Sequence, residues 1–224
     1  MPGRKTPLVN HEIYHIFNRG VASQPTFLNA KDYQRALESF FYYQNSNPPV
    51  KYSHFLSLPL IQRSELLERF AKGKNFLAEI ISYCLMPNHF HFLLRQLREN
   101  GISKFMSNFT NSYTRFFNTK RDREGPLFTG KFKSVRIETQ AQLLHVSRYI
   151  HLNPYTSYLV KTLDDLQVYP HSSFPEFLNK TSSSFCSKEI ILNEFKKKED
   201  YRQFVFDQAD YQRSLDQIKH LLID

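Results

Sequence analysis

The stretch Pro87-Asn88-His89-Phe90-His91-Phe92-Leu93-Leu94 contains the strongest structural signal in this chain. Its Pro-Asn pair predicts a tight turn, and residues 89–95 predict a strand after the turn. Side chains alternate between the two faces of a strand, so His89 and His91 share one face while Phe90 lies on the other. Two imidazoles on one face can bind a divalent metal, although paired histidines in an apolar strand are also typical of structural residues.

A second segment, Arg148-Tyr149-Ile150-His151-Leu152-Asn153-Pro154, predicts the end of a helix that begins after a capping box at Thr139. Tyr149 and Asn153 are four residues apart and therefore share one helical face. We expect the helix to end near Asn153, because proline disfavours helical geometry in the residue before it. A metal, a phenol and an amide together suggest phosphodiester chemistry, although a tyrosine near a helix end is also common in protein cores.

Hydrophobic periodicity outside these two segments predicts the remaining elements. Strands are predicted over 12–19, 77–86, 89–95 and 131–137, and helices over 31–44, 102–117 and 139–153. This order is the split βαβ, ferredoxin-like pattern, which predicts an α+β fold whose antiparallel sheet has helices on one side, plus an extra helix. A helix over 60–71 falls in a possible insertion at about 48–76. We expect a main domain over 1–178 and a helical C-terminal extension over 179–224.

The extension is predicted to hold one or two amphipathic helices. Their apolar residues are Ile190, Leu192, Phe195, Phe204, Phe206, Leu215, Ile218 and Leu222.

The charge and the aromatic content favour a polyanionic partner. The chain has a formal net charge of +9, with 21 Phe and 13 Tyr. Residues 103–136 carry eight basic and two acidic side chains, whereas the segment from residue 180 onward carries eight of each sign. A local excess of this kind is typical of a binding surface, so nucleic acid is the first partner to expect, although a merely basic protein has the same net charge.

Cysteine usage and hydropathy exclude other classes. Cys84 and Cys186 are far apart and form no disulfide framework, and the absence of a CxxC motif argues against a structural zinc site. There is no stretch of about 18 apolar residues and no apolar signal region after Met1, so we expect a cytoplasmic protein without a membrane span.

Four ordered motifs resemble those of the single-tyrosine HUH transposases, a group of insertion-sequence-200-like transposases, and especially the subgroup associated with repetitive extragenic palindromes (REP). The motifs are Tyr14-His15-Ile16-Phe17-Asn18-Arg19-Gly20, Met86-Pro87-Asn88-His89-Phe90-His91, Gly125-Pro126-Leu127-Phe128-Thr129-Gly130-Lys131-Phe132-Lys133 and Tyr149-Ile150-His151-Leu152-Asn153-Pro154. The resemblance covers about residues 10–175. It departs from the family at Pro170-His171-Ser172-Ser173, where a tryptophan is common before the serine pair.

The resemblance implies a site and a reaction. His89 and His91 would bind the metal with Asn153 as third ligand, and Tyr149 would be the nucleophile that forms a 5′-phosphotyrosine and releases a 3′-hydroxyl. Histidine ligands suit Mn²⁺, Co²⁺, Ni²⁺ or Zn²⁺, whereas Mg²⁺ prefers oxygen; the family favours Mg²⁺ or Mn²⁺. The implied substrate is single-stranded DNA with hairpins, and the implied assembly is a homodimer.

Seven basic side chains are expected to contact the DNA. They are Arg19, Lys120, Arg121, Arg123, Lys131, Lys133 and Arg136. Phosphate contacts of this kind position a nucleic acid without reading its sequence.

Three other functions fit the same motifs. A domesticated relative could hold DNA hairpins without transposing them, although the intact His89, His91, Tyr149 and Asn153 argue against lost chemistry. A replication initiator or relaxase uses similar chemistry, but the chain is short and has no helicase motif. A plain metal hydrolase would use water in place of the tyrosine.

Overall fold

The computed structural model describes residues 7–73, 75–181 and 185–214. Residues 209–214 are helical, and four strands and nine other α-helices lie entirely within the described residues. They are β1 (Ile13–Arg19), α1 (Ala30–Tyr43), α2 (Tyr52–Ser57), α3 (Leu60–Gly73), β2 (Ala78–Met86), β3 (His89–Gln96), α4 (Gly101–Lys120), β4 (Lys133–Ile137), α5 (Gln140–Thr156), α6 (Leu163–Gln167), α7 (Phe174–Phe177), α8 (Glu189–Leu192) and α9 (Lys198–Phe206). A single 3₁₀ turn, Val21–Ser23, follows β1.

The strands form one antiparallel sheet in the order β2-β3-β1-β4. This order, with α1 between β1 and β2 and α4 between β3 and β4, is the ferredoxin-like arrangement. The α+β fold predicted from the sequence is therefore confirmed. β4 pairs only with β1 and forms one edge of the sheet, as its alternating polar and apolar residues predict.

Aromatic side chains fill the space between the sheet and the helices α1 and α4. Phe92 of β3 stacks on Phe40 of α1 with ring centroids 4.1 Å apart, and Phe40 stacks on Phe105 of α4 at 4.7 Å. All three side chains are almost completely buried. Burial of one such side chain contributes about 1.5–3 kcal/mol, so this layer supplies much of the stability of the fold.

Helix α5 packs on the opposite face of the sheet and is longer than the sequence predicts. It continues through Pro154 to Thr156, so the expected end near Asn153 is wrong. A proline removes one backbone donor and destabilises a helix locally. Here Pro154 is buried, the backbone N–H of Ser157 donates to the Asn153 carbonyl at 3.1 Å, and that of Val160 donates to the Pro154 carbonyl at 3.0 Å. Tertiary packing therefore outweighs the local preference.

The C-terminal segment packs on α5. Ile191 of α8 and Tyr201 and Val205 of α9 are completely buried and join the core. Amphipathic helices are thus present where Ile190–Leu192 and Phe204 predict them, while the predicted positions Leu215, Ile218 and Leu222 lie outside the described residues. In the described part of the chain, no helix is long and apolar enough to cross a membrane.

Candidate metal and nucleophile site

Strands β1 and β3 bring three histidines to one face of the sheet. In their antiparallel pairing Phe17 lies opposite His91 and Arg19 lies opposite His89. Because side chains alternate along each strand, His15 points to this same face. We call this surface, which carries His15, His89 and His91, the histidine face.

The turn between β2 and β3 is fixed against the end of β1. The backbone N–H of Gly20 donates to the Asn88 carbonyl at 2.8 Å. A Cβ atom on Gly20 would lie 2.2 Å from the carbonyl oxygen of Gln24, so no larger residue fits. The Asn88 side chain donates from Nδ2 to the Ser23 carbonyl at 3.1 Å, which fixes the orientation of its amide. The glycine that ends the first motif therefore positions the residue before His89.

Asn88 in turn fixes the ring of His89. Its Oδ1 lies 2.6 Å from Nδ1 of His89 and can only accept, so Nδ1 carries the proton in this contact. A neutral imidazole protonated at Nδ1 has its lone pair at Nε2. His89 consequently presents Nε2 as a ligand atom.

His91 is held in a similar way by a histidine of the neighbouring strand. Nε2 of His15 lies 2.9 Å from Nδ1 of His91, and the two rings stack with centroids 5.1 Å apart. Burial lowers the pKa of His91 well below its usual value, and the charges of His89, His15 and Arg19 lower it further. Burial also lowers the pKa of His15 to about 4. Both rings are therefore neutral at pH 7. Only a neutral imidazole can bind a metal, so His91 is in the form that a ligand requires.

Asn153 of α5 brings an amide oxygen to His89. Its Nδ2 donates to the Tyr149 carbonyl at 3.1 Å, which directs Oδ1 toward Nε2 of His89 at 3.4 Å. With the proton on Nδ1, Nε2 of His89 and Oδ1 of Asn153 both carry lone pairs, and either a second ring proton or a metal cation between them makes the contact favourable. This contact fits a divalent metal bound by His89, His91 and Asn153.

The histidine face has few other side chains that could bind a metal. Within residues 7–73, 75–181 and 185–214, no three His, Cys, Asp or Glu side chains converge as a metal site. The candidate ligands are the imidazoles of His89 and His91 and the amide of Asn153, because Nε2 of the third histidine, His15, contacts His91. Such a set leaves coordination positions for oxygens of a substrate, as in catalytic rather than structural metal sites.

Tyr149 lies beside the histidine pair and reaches solvent. Its ring meets that of His91 edge-on with centroids 5.3 Å apart, and that of His15 at 6.0 Å. The residue is 36% exposed. A nucleophile that must reach a phosphodiester in a large DNA substrate requires this combination of fixed position and access.

Three of the seven expected DNA contacts lie near the histidine face. Arg19 ends β1, and its charge acts on His91. Lys133 of β4 pairs with Phe17 and so points to the histidine face, and Lys131 lies two residues earlier, in the loop that leads into β4. In the described part of the chain, the side chains of these three residues have no ion pair or hydrogen bond. Their charge is therefore available to an anionic ligand.

The other four expected contacts have partners within the protein. Lys120 and Arg121 both pair with the buried carboxylate of Asp32, Lys120 at 2.9 Å. Arg123 donates to the Asn118 side chain at 3.0 Å and to the Pro126 carbonyl at 2.8 Å. Arg136 lies opposite Tyr14, hence on the other face, and pairs with Glu12 at 2.7 Å. These contacts fasten the α4–β4 loop and the sheet edge.

His151, in the same motif as Tyr149, has a different environment. It lies on α5 and is completely buried against α9 and the residues before α7. Its Nδ1 lies 2.7 Å from the Tyr201 hydroxyl and its Nε2 lies 2.8 Å from the Ser173 hydroxyl. Burial lowers its pKa to about 3. The second serine of the serine pair thus joins α5 to β2, since Ser173 also accepts from the backbone of Tyr83 at 2.9 Å.

Sequence reasoning missed two histidine contacts. His15 carries a signal, since it alternates with Phe17 in a predicted strand, but its partner is 76 residues away. His171 lies directly before the serine pair, in the segment where the family often has a tryptophan, and its ring stacks on Tyr33 at 3.7 Å, as an aromatic side chain would.

Two comparisons with known proteins found a similarity, one to a family and one to a solved structure. Residues 61–153 match the family described as "Transposase IS200 like". The match covers less than half of the chain and shows a similarity to the IS200-like transposases. The resemblance to this family is thereby confirmed, and the matched residues include the second, third and fourth motifs except Pro154 but not the first. The match begins within α3, inside the segment expected as an insertion.

A solved structure shares the fold. It is that of a REP-associated tyrosine transposase bound to a REP hairpin, with a TM-score of 0.55 and 14% sequence identity over 83% of this chain and 90% of that chain. No curated protein matches the chain.

Proposed function

We propose that this protein binds hairpin-containing single-stranded DNA and cleaves and rejoins it through a covalent 5′-phosphotyrosine at Tyr149, in DNA transposition. The contact between Nε2 of His89 and Oδ1 of Asn153, beside an accessible Tyr149, carries the proposal. The similarity to IS200-like transposases and the fold shared with a hairpin-bound transposase support it.

His89, His91 and Asn153 would hold the metal, for which we propose Mg²⁺ or Mn²⁺. Asn88 and His15 each occupy the Nδ1 atom of one histidine and so orient its Nε2 atom toward the metal. When bound, the metal supplies positive charge that polarises the phosphodiester and offsets charge on its oxygens.

Tyr149 performs the covalent step. Its oxygen forms a bond to phosphorus, and the bond from phosphorus to the 3′ oxygen breaks, so the 3′ oxygen leaves as a hydroxyl after taking a proton. The phenol proton passes to a base that this site does not identify. Arg19, Lys131 and Lys133 would hold the DNA backbone near the nucleophile. Because the phosphotyrosine keeps the energy of the broken bond, rejoining needs no ATP.

The proposal also covers the oligomeric state, the cellular compartment and the domain organisation of the protein. We propose a homodimer that acts on DNA in the cytoplasm, with residues 1–178 as the transposase domain, including the insertion at 48–76, and residues 179–224 as a helical extension. Light scattering of the purified protein tests the dimer.

Covalent trapping tests the mechanism. The protein is mixed with Mn²⁺ or Mg²⁺ and labelled single-stranded DNA that carries hairpins from the sequence flanking its gene, and the products are separated on a denaturing gel. We expect a protein–DNA adduct that Tyr149→Phe abolishes and that Tyr158→Phe, at another exposed tyrosine, retains. Hairpin binding without an adduct under either metal would favour a binding module. Cleavage by Tyr149→Phe would overturn the tyrosine mechanism.

A further inference from the structure

A second basic pocket lies on the side of the sheet opposite the histidine face. Helices α1 and α4 and the start of α2 enclose a cavity of about 580 Å³. Four basic side chains line it: Arg35, Lys51, Arg115 and Lys120. No acidic side chain of the described residues lines it. The pocket therefore has the charge of an anion site and is separated from the histidine face by the sheet.

Arg35 lines the pocket, and two of its three guanidinium nitrogens lack an acceptor. The residue is only 8% exposed, and its Nε and Nη1 atoms are buried without an acceptor. Its guanidinium lies over the Tyr52 ring at 4.2 Å and faces Phe116 at 5.3 Å, so aromatic faces, not carboxylates, hold it. Unsatisfied buried donors of a charged group destabilise a protein unless a ligand satisfies them.

The nearest carboxylate is already engaged. Glu38 accepts from Nε2 of Gln34 and from the Tyr52 hydroxyl, each at 2.8 Å. Burial lowers the pKa of Arg35, while the charges of Tyr52, Tyr43 and Glu38 and a side-chain hydrogen bond with Tyr52 raise it. In the described part of the chain Arg35 has no ion pair, so Glu38 offsets its charge from a distance without occupying its donors.

Two further cations at the pocket are available to a ligand. The side chains of Lys51 and Arg115 have no ion pair or hydrogen bond within the described residues, whereas Lys120 is paired with Asp32. The amides of Asn108 and Asn111 line the same wall. Three cations and neutral donors around one cavity suit a ligand with several acceptor oxygens and more than one negative charge.

We propose that this pocket binds a phosphate group, with Arg35, Lys51 and Arg115 as its cationic contacts. The phosphate can belong to a nucleotide or to a nucleic-acid backbone, and both offer the same tetrahedral set of oxygens. The nucleic-acid source alone rests on the proposed function, since the pocket would then contact DNA on the side of the protein away from Tyr149.

Binding of defined phosphates tests the pocket. Calorimetry is run on the full chain with pyrophosphate, with thymidine monophosphate and with a hairpin-free oligonucleotide of about twelve residues. We expect at least one probe to bind, and we expect Lys51→Ala with Arg115→Ala to weaken that binding at least tenfold. Lys161→Ala with Lys198→Ala is the matched control, since it removes the same charge from exposed sites outside the pocket and should change the affinity less than twofold.

Arg35 is tested separately because it is buried. Arg35→Lys keeps the charge but not the forked donors, and we expect a loss of about fivefold in phosphate affinity, with folding checked by circular dichroism. If Arg35→Lys does not fold, the affinity of the double variant Lys51→Ala with Arg115→Ala tests the pocket without it.

The three probes separate the sources of the phosphate. Binding of pyrophosphate or the mononucleotide identifies a nucleotide-sized ligand, and binding of the oligonucleotide alone identifies a backbone contact. No binding of any probe, or equal losses in the pocket and control variants, overturns the proposal.

Covalent trapping at Tyr149 is run in parallel. Phosphate binding without an adduct would leave the pocket in place and remove the proposed reaction. An adduct at Tyr149 without binding of any phosphate probe would support the proposed reaction and overturn the phosphate pocket.

Discussion

Two groups of histidines meet helix α5, and they differ in their partners rather than in their burial. His91 and His151 are both buried, and burial lowers the pKa of each well below its usual value. At His151 both ring nitrogens contact hydroxyl groups, which can donate or accept. At the histidine face, an acceptor of His89 faces an acceptor of Asn153. Hydrogen-bond complementarity therefore separates a structural histidine from a candidate ligand, whereas burial and pKa do not.

The largest change in the rate of adduct formation is expected when His89 of the histidine face is replaced. We expect His89→Ala to reduce the rate of adduct formation at least about 10³-fold, because a metal that polarises the phosphate is worth several kcal/mol. The free energy of unfolding should change by less than about 1 kcal/mol, since His89 is only half-buried. Single-turnover cleavage and urea denaturation measure both, with the exposed His54→Ala as control. A rate within tenfold of wild type would remove His89 from the metal site.

At His151 we expect a large loss of stability and a small loss of activity, the opposite of the result at His89. His151→Ala should lower the free energy of unfolding by about 2–4 kcal/mol, because it leaves a cavity and takes a partner from the buried hydroxyls of Tyr201 and Ser173. Adduct formation by the folded fraction should fall much less than in His89→Ala. Urea denaturation at pH 7.5 measures the loss. A stability unchanged within 0.5 kcal/mol would contradict the structural role.

The pH dependence of stability sharpens the same contrast. The pKa of His151 is about 3 in the folded protein and 6.5 in the unfolded chain, so the unfolded state binds more protons between these values. The contribution of neutral His151 is complete above pH 6.5 and is lost as the pH falls toward 3. At pH 5 the loss is about 2 kcal/mol relative to pH 7.5.

His151→Gln cannot titrate and serves as the comparison. We expect its stability to fall less steeply than that of wild type below pH 6.5, by up to about 1.4 kcal/mol per pH unit. Urea midpoints between pH 7.5 and 5 test this slope, and parallel curves for the two proteins would show that His151 does not stay neutral.

The smallest effect concerns His15, which contacts a proposed ligand without being one. We expect His15→Leu to weaken Mn²⁺ binding about tenfold, because Nδ1 of His91 loses the partner that orients its ring. His15→Gln can still hydrogen-bond to Nδ1 and should restore most of the affinity. Electron paramagnetic resonance of free Mn²⁺ measures both. Equal affinities for His15→Leu and wild type would make His15 a packing residue.

Period and spacing predicted the sheet and its main helices well. The apolar alternation of β4 and the apolar stripe of α4 are local signals, and the structure places both elements within a few residues of their predicted bounds. The end of α5 was not predictable in this way, because Pro154 is buried inside the helix and its tertiary packing outweighs its local effect. Local sequence thus predicts an element better than its boundary.

The candidate site was predictable in part for the same reason. His89 and His91 are adjacent on one strand, and Tyr149 and Asn153 on one helix. The contact of His15 with His91 depends on the pairing of strands 76 residues apart. Likewise, Lys120 and Arg121 appear as free charges in the sequence, since Asp32, their buried partner, lies 88 and 89 residues earlier.

The link between His151 and Tyr201 also sets an order of events during synthesis. Tyr201 follows His151 by 50 residues, which corresponds to roughly 3–10 s of translation at common rates. Until then, the helix that carries Tyr149 has a buried imidazole with one hydrogen bond missing. A ribosome-bound chain stalled before residue 201 should therefore expose α5 to protease, and one stalled well after it should not. Helix α9 thus acts late in synthesis, because it completes the hydrogen bonds of the helix that carries the candidate nucleophile.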